Sequence, residues 1–213
     1  MINMIKVEKI DVNGFEAAIR GMRNPMNSWD RSDSCYETYG ISYIVGKNDL
    51  RLMHKLFLGG PEHRKFMRMI HVSMDITAPL YWWKEFDTYK VGTVANSCST
   101  MHKVHSKEFI LDDFSYDHLT EESQCALLGI IKELNLAREN FIETGDKKHW
   151  WQMIQLLPSS YNQKRTVDIN YENAVTIIKQ RAGHKLDEWH VLVNALENVP
   201  YMYEIRNGED DVI

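Results

Sequence analysis

Residues 74–103, MDITAPLYWWKEFDTYKVGTVANSCSTMHK, decide how this chain folds. An apolar, β-rich run reaches Ala78-Pro79 and passes into a short aromatic helix. It then meets Thr93, Asn96, Ser97, Cys98 and Ser99, followed by Met101, His102 and Lys103. This order predicts a buried strand and helix carrying a loop of hydroxyl, amide, imidazole and ammonium groups, a rigid support for a polar ligand. A solvated loop after a helix C-terminus has the same composition.

Upstream, residues 69–76 (MIHVSMDI) set Ile70, Val72, Met74 and Ile76 on one strand face, with His71, Ser73 and Asp75 on the other. Ile5, Val7, Ile10 and Val12 fall near strand spacing and end at Asn13-Gly14, a turn signal. Residues 15–22 predict a short helix stopped before Pro25, because the residue preceding a proline is pushed out of helical geometry. Residues 23–36 are polar and turn-rich around an isolated Trp29, either a plain loop or a flap over a site. Asn48 is placed to cap a helix through Leu50, Leu52, Met53, Leu56 and Phe57 that Gly59-Gly60 ends. Pro61 suits the first position of another helix, with Glu62 in its first turn.

Downstream, Thr120 with Glu121 and Glu122 starts the longest helix, closed by Gly145. Ala126, Leu127, Ile130, Ile131, Leu134, Ala137, Phe141 and Ile142 fall on or near one face of it. A helix over 149–157 ends before Pro158, an extended piece follows at 166–170, and helices are predicted over 171–181 and 186–196. The acidic tail, 207–213, is expected to fray. No repeat or linker interrupts the 213 residues, so one domain spanning 1–213 is expected. Its class is mixed α+β, with a small, mainly antiparallel sheet and a helix-rich C-terminal half.

Composition narrows the partners. The chain is 44% hydrophobic and 26% charged with five prolines, a globular balance. A formal charge of −5 opposes general attraction to nucleic acid or anionic membrane, so a phosphate would need a local basic cluster. Cys35, Cys98 and Cys125 are odd in number and unpaired in spacing, which indicates neither a disulfide framework nor a thiolate zinc site. With no signal-peptide pattern and no run of roughly 20 apolar residues, a cytoplasmic setting without membrane contact is expected.

Several residues could carry chemistry. His63 and Arg64, at a predicted helix start, could hold a phosphate or flavin, or be a surface pair. His102 and His105 lack a third ligand, so no metal site is indicated. Cys98 would be a nucleophile only with His102 one helical turn away, and is otherwise an ordinary thiol. The Trp82-Trp83 and Trp150-Trp151 pairs point about 100° apart on a helix, which favours packing over stacking on a ligand. Arg181 before Gly183, and the pair Lys164-Arg165, are two basic clusters of the kind a small phosphorylated ligand needs.

In their order these pieces resemble the flavin-dependent thymidylate synthases, from about residue 14 to residue 196. Glu62-His63-x-x-Phe66 looks like the family's Glu-His-x-x-Phe segment. The run from Ile76 through Ala78-Pro79 to Phe86 is similar to the strand and helix before its defining motif. Leu157-Pro158, Asn170, Arg181-Ala182 and Glu188-Trp189 follow in the family's order. That motif reads Arg-His-Arg-x-x-Ser-x-Asn-Glu-x-Ser-x-Arg-Tyr. Here Lys90, Thr93, Asn96 and Ser99 are chemically comparable, the glutamate is Ser97, and the phosphate-holding arginine is Met101, with one extra residue before Asn96.

The resemblance implies FAD contacts at His63, Lys90, Asn96 and Asn170. It implies substrate contacts at Ser99, Lys103, Lys164, Arg165 and Arg181. A pyrimidine nucleotide, dUMP, would be the ligand, with C5 of the base modified if the site is active; folate and NADPH are implied only in that case. No residue is assigned a catalytic role. A homotetramer is implied, since the family builds its sites from several subunits. The alternative is a non-catalytic homo-oligomer that binds or sequesters a nucleotide and has lost the flavin chemistry.

Overall fold

The computed structural model describes residues 5–38, 40 and 42–208. The end of the predicted acidic tail, 209–213, lies outside them. Among the described residues the fold is mixed, with a small antiparallel sheet and about half of the chain helical. The chain forms two compact units. One comprises Asp75–Thr88, Ala95–Thr166 and the described part of Met1–Glu8. The other comprises Tyr89–Val94 and the described parts of Lys9–Met74 and Val167–Ile213.

The sheet runs in the order β1-β4-β6-β5: β1 Lys6–Asn13, β4 His71–Pro79, β6 Asn162–Asn170 and β5 Thr93–Ser97. β4 follows the predicted alternation, with Ile70, Val72, Met74 and Ile76 at most 1% exposed. Its polar positions find partners across the strands. Asp168 takes hydrogen bonds from Ser73 Oγ (2.7 Å) and pairs with His71 Nδ1 (2.9 Å), while Asp75 accepts from Thr166 (2.7 Å). β5 corrects the expectation of a loop at 93–97. It is an edge strand held by backbone pairing, and Val94, Ala95, Asn96 and Ser97 are all exposed, so no apolar alternation announced it. β6 starts at Asn162, four residues earlier than predicted.

In the unit that holds residues 75–88, α3 (Leu80–Phe86) buries Trp82, Trp83 and Phe86. α4 (Glu121–Thr144) is capped by Thr120, whose hydroxyl accepts from Ser123 N, and ends at Gly145 in the left-handed region, as the sequence predicts. Leu127, Ile131, Leu134 and Ala137 pack with Met153 of α5 (Lys147–Leu156), Val104, Phe109 and Phe114 into one core. Each of these side chains larger than alanine contributes roughly 1.5–3 kcal/mol by leaving water.

The other unit holds α1 (Phe15–Arg23), the hairpin of β2 (Cys35–Tyr36) and β3 (Tyr43–Ile44), α2 (Lys47–Leu58), α6 (Tyr171–Arg181), α7 (Glu188–Glu197) and α8 (Met202–Asn207). The sequence pattern did not announce α8, which buries only Met202 and Ile205. Gly14 is required at the β1–α1 turn: its φ is +96°, and a Cβ there would overlap the Met69 carbonyl. Pro25 does not end the helical path, which continues as a 3₁₀ turn, Asn24–Met26.

Two helix starts differ from expectation. Asn48 does not cap α2; Asp33, fifteen residues earlier, accepts from Asn48 N (3.0 Å) and its carboxylate also accepts from Asp49 N (3.2 Å). No helix begins at Pro61, because the Gly60 carbonyl takes the N–H groups of both His63 and Arg64 and closes a turn, followed by a 3₁₀ stretch, Lys65–Met69. The polar segment 23–36 is organised from within. Asp49, fully buried, accepts from Arg23 Nε (2.6 Å), Ser32 Oγ (2.7 Å), Ser34 Oγ (2.6 Å) and the backbone N–H groups of Asp33 and Ser34. Arg23, 4% exposed, donates its other nitrogens to the Ser28 and Arg31 carbonyls.

Burial alone would raise the Asp49 pKa, but hydrogen bonds from Ser34, Ser32 and Arg23 outweigh it and hold the carboxyl below its usual 3.8. A depressed folded pKa gives stability that is complete above the unfolded value and is lost as pH falls through the folded one. Asp49→Ala is therefore expected to lose about 3–5 kcal/mol in chemical denaturation at neutral pH, since it strands the Arg23 charge. The loss should shrink below pH 3.8. A variant as stable as the unaltered chain at neutral pH would contradict this role.

Candidate functional site

A cavity of about 470 Å³ opens in the unit that contains residues 75–88. Its volume falls in the range of small-ligand sites, roughly 300–1,000 Å³. Ser99, Lys103 and Lys164, three of the residues expected at a substrate, all line it. Lys6, Thr77, Lys107, Asp112 and Tyr161 join them.

The wall is a stretch of turns, 98–107, with mostly exposed side chains and a fixed backbone. Cys98 N donates to the Lys164 carbonyl (2.9 Å), and Gln163 Nε2 donates to the Cys98 carbonyl (2.7 Å). Ser99 Oγ accepts from His102 N (3.0 Å). From α5, Trp150 Nε1 reaches the Met101 carbonyl (2.9 Å); from α4, Arg138 Nε reaches that of His105 (3.0 Å). Asn135 brackets Phe109, accepting from its N–H (2.8 Å) and donating to its carbonyl (2.9 Å). Helices thus hold this loop by side-chain hydrogen bonds where it has no regular backbone ladder.

Four lysines face two aspartates around the cavity, a formal surplus of two positive charges on a chain of net −5. Lys164 pairs with Asp75 (2.9 Å), and Lys107 pairs with Asp113. The hydrogen bond to Asp75, against some desolvation, raises the Lys164 pKa, with the Asp75, Glu8 and Cys98 charges adding to it, so the ammonium persists at neutral pH. Burial, then the charges of Asp113 and Cys98, push the Tyr161 phenol up, which keeps it a neutral donor beside Phe109 and Phe114. An anion with an attached ring matches this arrangement of charge and aromatic wall.

The remaining expected residues lie elsewhere. Arg165 does not line the cavity with its neighbour, because its side chain is drawn to Trp83, Gln163 and Asp87. Its guanidinium stacks 4.2 Å from the Trp83 ring, with Nε on Gln163 Oε1 (3.0 Å) and another nitrogen on Asp87 (2.7 Å). Asn96 is exposed on β5. Residues 98–107 are not helical, so His102 does not stand one helical turn from Cys98, and His102 and His105 share no helix face. Among the described residues no group of His, Cys, Asp and Glu makes a metal site.

His63, Lys90, Asn170 and Arg181 belong to the other unit. His63 and Lys90 are exposed, and His63 packs against Gly59 in the turn after α2. Asn170 caps α6 by accepting from Asn173 N (2.9 Å). The Arg181 guanidinium lies 4.5 Å over Trp189 and 5.6 Å over Tyr89, with Nε on the Tyr89 hydroxyl (2.9 Å), which itself donates to Gln180 (2.9 Å). Lys6, Lys107, Asp112, Tyr161 and Gln163 were not found from the sequence. Their only signal was the polar alternation of β4, which marks one sheet face as wet.

No protein-family model matches the chain, and no curated protein matches it. Solved structures do. Thymidylate synthase X from Helicobacter pylori, with FAD and dUMP, aligns at TM-score 0.69 and 16% identity over 92% of this chain and 96% of that one. A second structure of the flavin-dependent thymidylate synthase from the same organism, also with FAD and dUMP, gives 0.65 at 16% over 92% and 96%. The UMP/dUMP methylase PolB from Streptomyces cacaoi, bound with 5-Br dUMP, gives 0.61 at 13% over 94% of each chain. The fold is therefore flavin-dependent thymidylate synthase-like.

Gly92 turns the chain just before β5 with φ +71°, and a Cβ there would lie 2.5 Å from Asn170 Nδ2. Gly92→Ala is expected to cost at least about 1–2 kcal/mol through the left-handed backbone alone. Thermal unfolding checks it; an unchanged midpoint would contradict a left-handed backbone at this turn.

Proposed function

We propose that this chain is a diverged relative of the flavin-dependent thymidylate synthases that binds a pyrimidine deoxynucleotide, with dUMP as the reference ligand, in the lysine-lined cavity. The observation that carries the reading is the local cluster of ammonium groups in a cavity of about 470 Å³ on a net acidic chain. Ser99 and Lys103 are assigned to the phosphate end, Lys164, paired with Asp75, to the wall beside the nucleotide, and the Tyr161 ring to the base. A homo-oligomer, tetrameric by resemblance, in the cytoplasm completes the proposal. No described helix is long and apolar enough to cross a membrane.

One of the four residues assigned to FAD is already engaged within its own unit. Asn170 commits its carbonyl to the α6 cap, and its amide group closes against Gly92. The His63 backbone N–H is taken by the Gly60 carbonyl. Lys90 is the one lysine or arginine among the four. The proposed activity is therefore nucleotide binding. The solved neighbours that contain FAD and dUMP keep a flavin-bound form as the second reading, and change at C5, with folate and NADPH, belongs to that form alone.

Calorimetric titration tests the proposal. The chain should take up dUMP, and Lys103→Ala or Ser99→Ala should weaken it; loss of the lysine, a charge-assisted contact of about 1.5–3 kcal/mol, should cost roughly ten- to a hundredfold. No uptake of dUMP would end the reading. Flavin bands in the absorbance of the purified protein would favour the second reading, and a colourless protein that binds dUMP would favour the first.

A further inference from the structure

We infer that Lys6, the first residue of β1, is a phosphate-binding residue of this cavity, acting with Lys103 where the resembled family uses an arginine. The inference rests on the nucleotide reading above and goes beyond it, because neither the motif nor its spacing points to the N-terminal strand.

Met101, which stands at the arginine's place in the motif, cannot supply the charge, is 46% exposed, and does not line the cavity. Its carbonyl is tied to Trp150 Nε1, which fixes that stretch of backbone. The cations of this chain that line the cavity are four lysines, and two of these are already matched. Lys164 is 2.9 Å from Asp75, and Lys107 is bonded to Asp113. A phosphate approaching either has to displace or share a carboxylate, which removes most of the gain.

Lys6 and Lys103 have no carboxylate partner among the described residues. They come from different elements, Lys6 from β1 and Lys103 from the pinned turn after Ser99, and both line the same cavity. The β1–β4 pairing adds the Thr77 hydroxyl to the same wall. A lysine is a compact charge on a flexible stem, so a pair of them can meet phosphate oxygens without the fixed planar fork of an arginine.

Lys6→Met keeps the alkyl stem and removes the charge, and Lys6→Arg restores the charge. In titrations with dUMP, Lys6→Met should bind about tenfold more weakly than the unaltered chain. Its affinity should fall less steeply with added salt, Lys6→Arg should recover most of the loss, and the unfolding midpoint should not move. Lys6→Met binding dUMP within about twofold of the unaltered chain while Lys103→Met loses affinity would overturn the role of Lys6 and leave the nucleotide reading standing. An unaltered chain that takes up no dUMP would overturn both.

Discussion

A single buried amide, Gln163, holds the parts of the cavity together. It is 7% exposed, and each polar end of its side chain is occupied. Nε2 donates to the Cys98 carbonyl at 2.7 Å, and Oε1 accepts from Arg165 at 3.0 Å. Its own carbonyl accepts from the indole of Trp83 at 2.9 Å. Buried polar groups of this kind specify one arrangement, because each lost partner leaves a group unpaired away from water. Through Gln163 the aromatic helix α3, the end of edge strand β5 and the alternation of β6 are bound to one geometry, and Lys164 and Ser99 take their places from it.

The charge of the unit then follows from pairing as well as counting. Arg165 is engaged by Gln163, Asp87 and the Trp83 ring, so it supports the wall and does not add to the cavity's potential. Asp75 and Asp113 offset two of the lysines. In the other unit the same division keeps Arg23 on Asp49 and stacks Arg181 on Trp189 and Tyr89. Arginine serves structure in these three places, and lysine supplies the charge at the candidate site.

Much of the fold was legible because it rests on periodicity and caps. The alternation of Ile70, Val72, Met74 and Ile76 and the Thr120–Gly145 frame of α4 both reappear in the structure. β5 was not legible, since an uncovered edge strand needs backbone partners and no apolar pattern. The Asp33 cap of α2 was hidden for a related reason: local spacing favoured Asn48, and a side chain from the preceding loop took the role. The candidate site divides in the same way. Ser99, Lys103 and Lys164 came from motif and charge, whereas Lys6, Lys107 and Tyr161 reach the cavity only through strand pairing and a loop pinned from α4 and α5. Arg165 was grouped with Lys164 by adjacency, and its contacts with Asp87, Gln163 and the Trp83 ring separate them.

The central claim is that the cavity beside Gln163 receives the pyrimidine nucleotide. Photocrosslinking with 5-bromo-dUMP, followed by mass spectrometric mapping of the modified peptides, tests it most directly. Adducts are expected within residues 98–113 and 161–164, competed away by dUMP. Adducts confined to the peptides that carry Tyr89 and Trp189, with the cavity peptides unmodified, would contradict it.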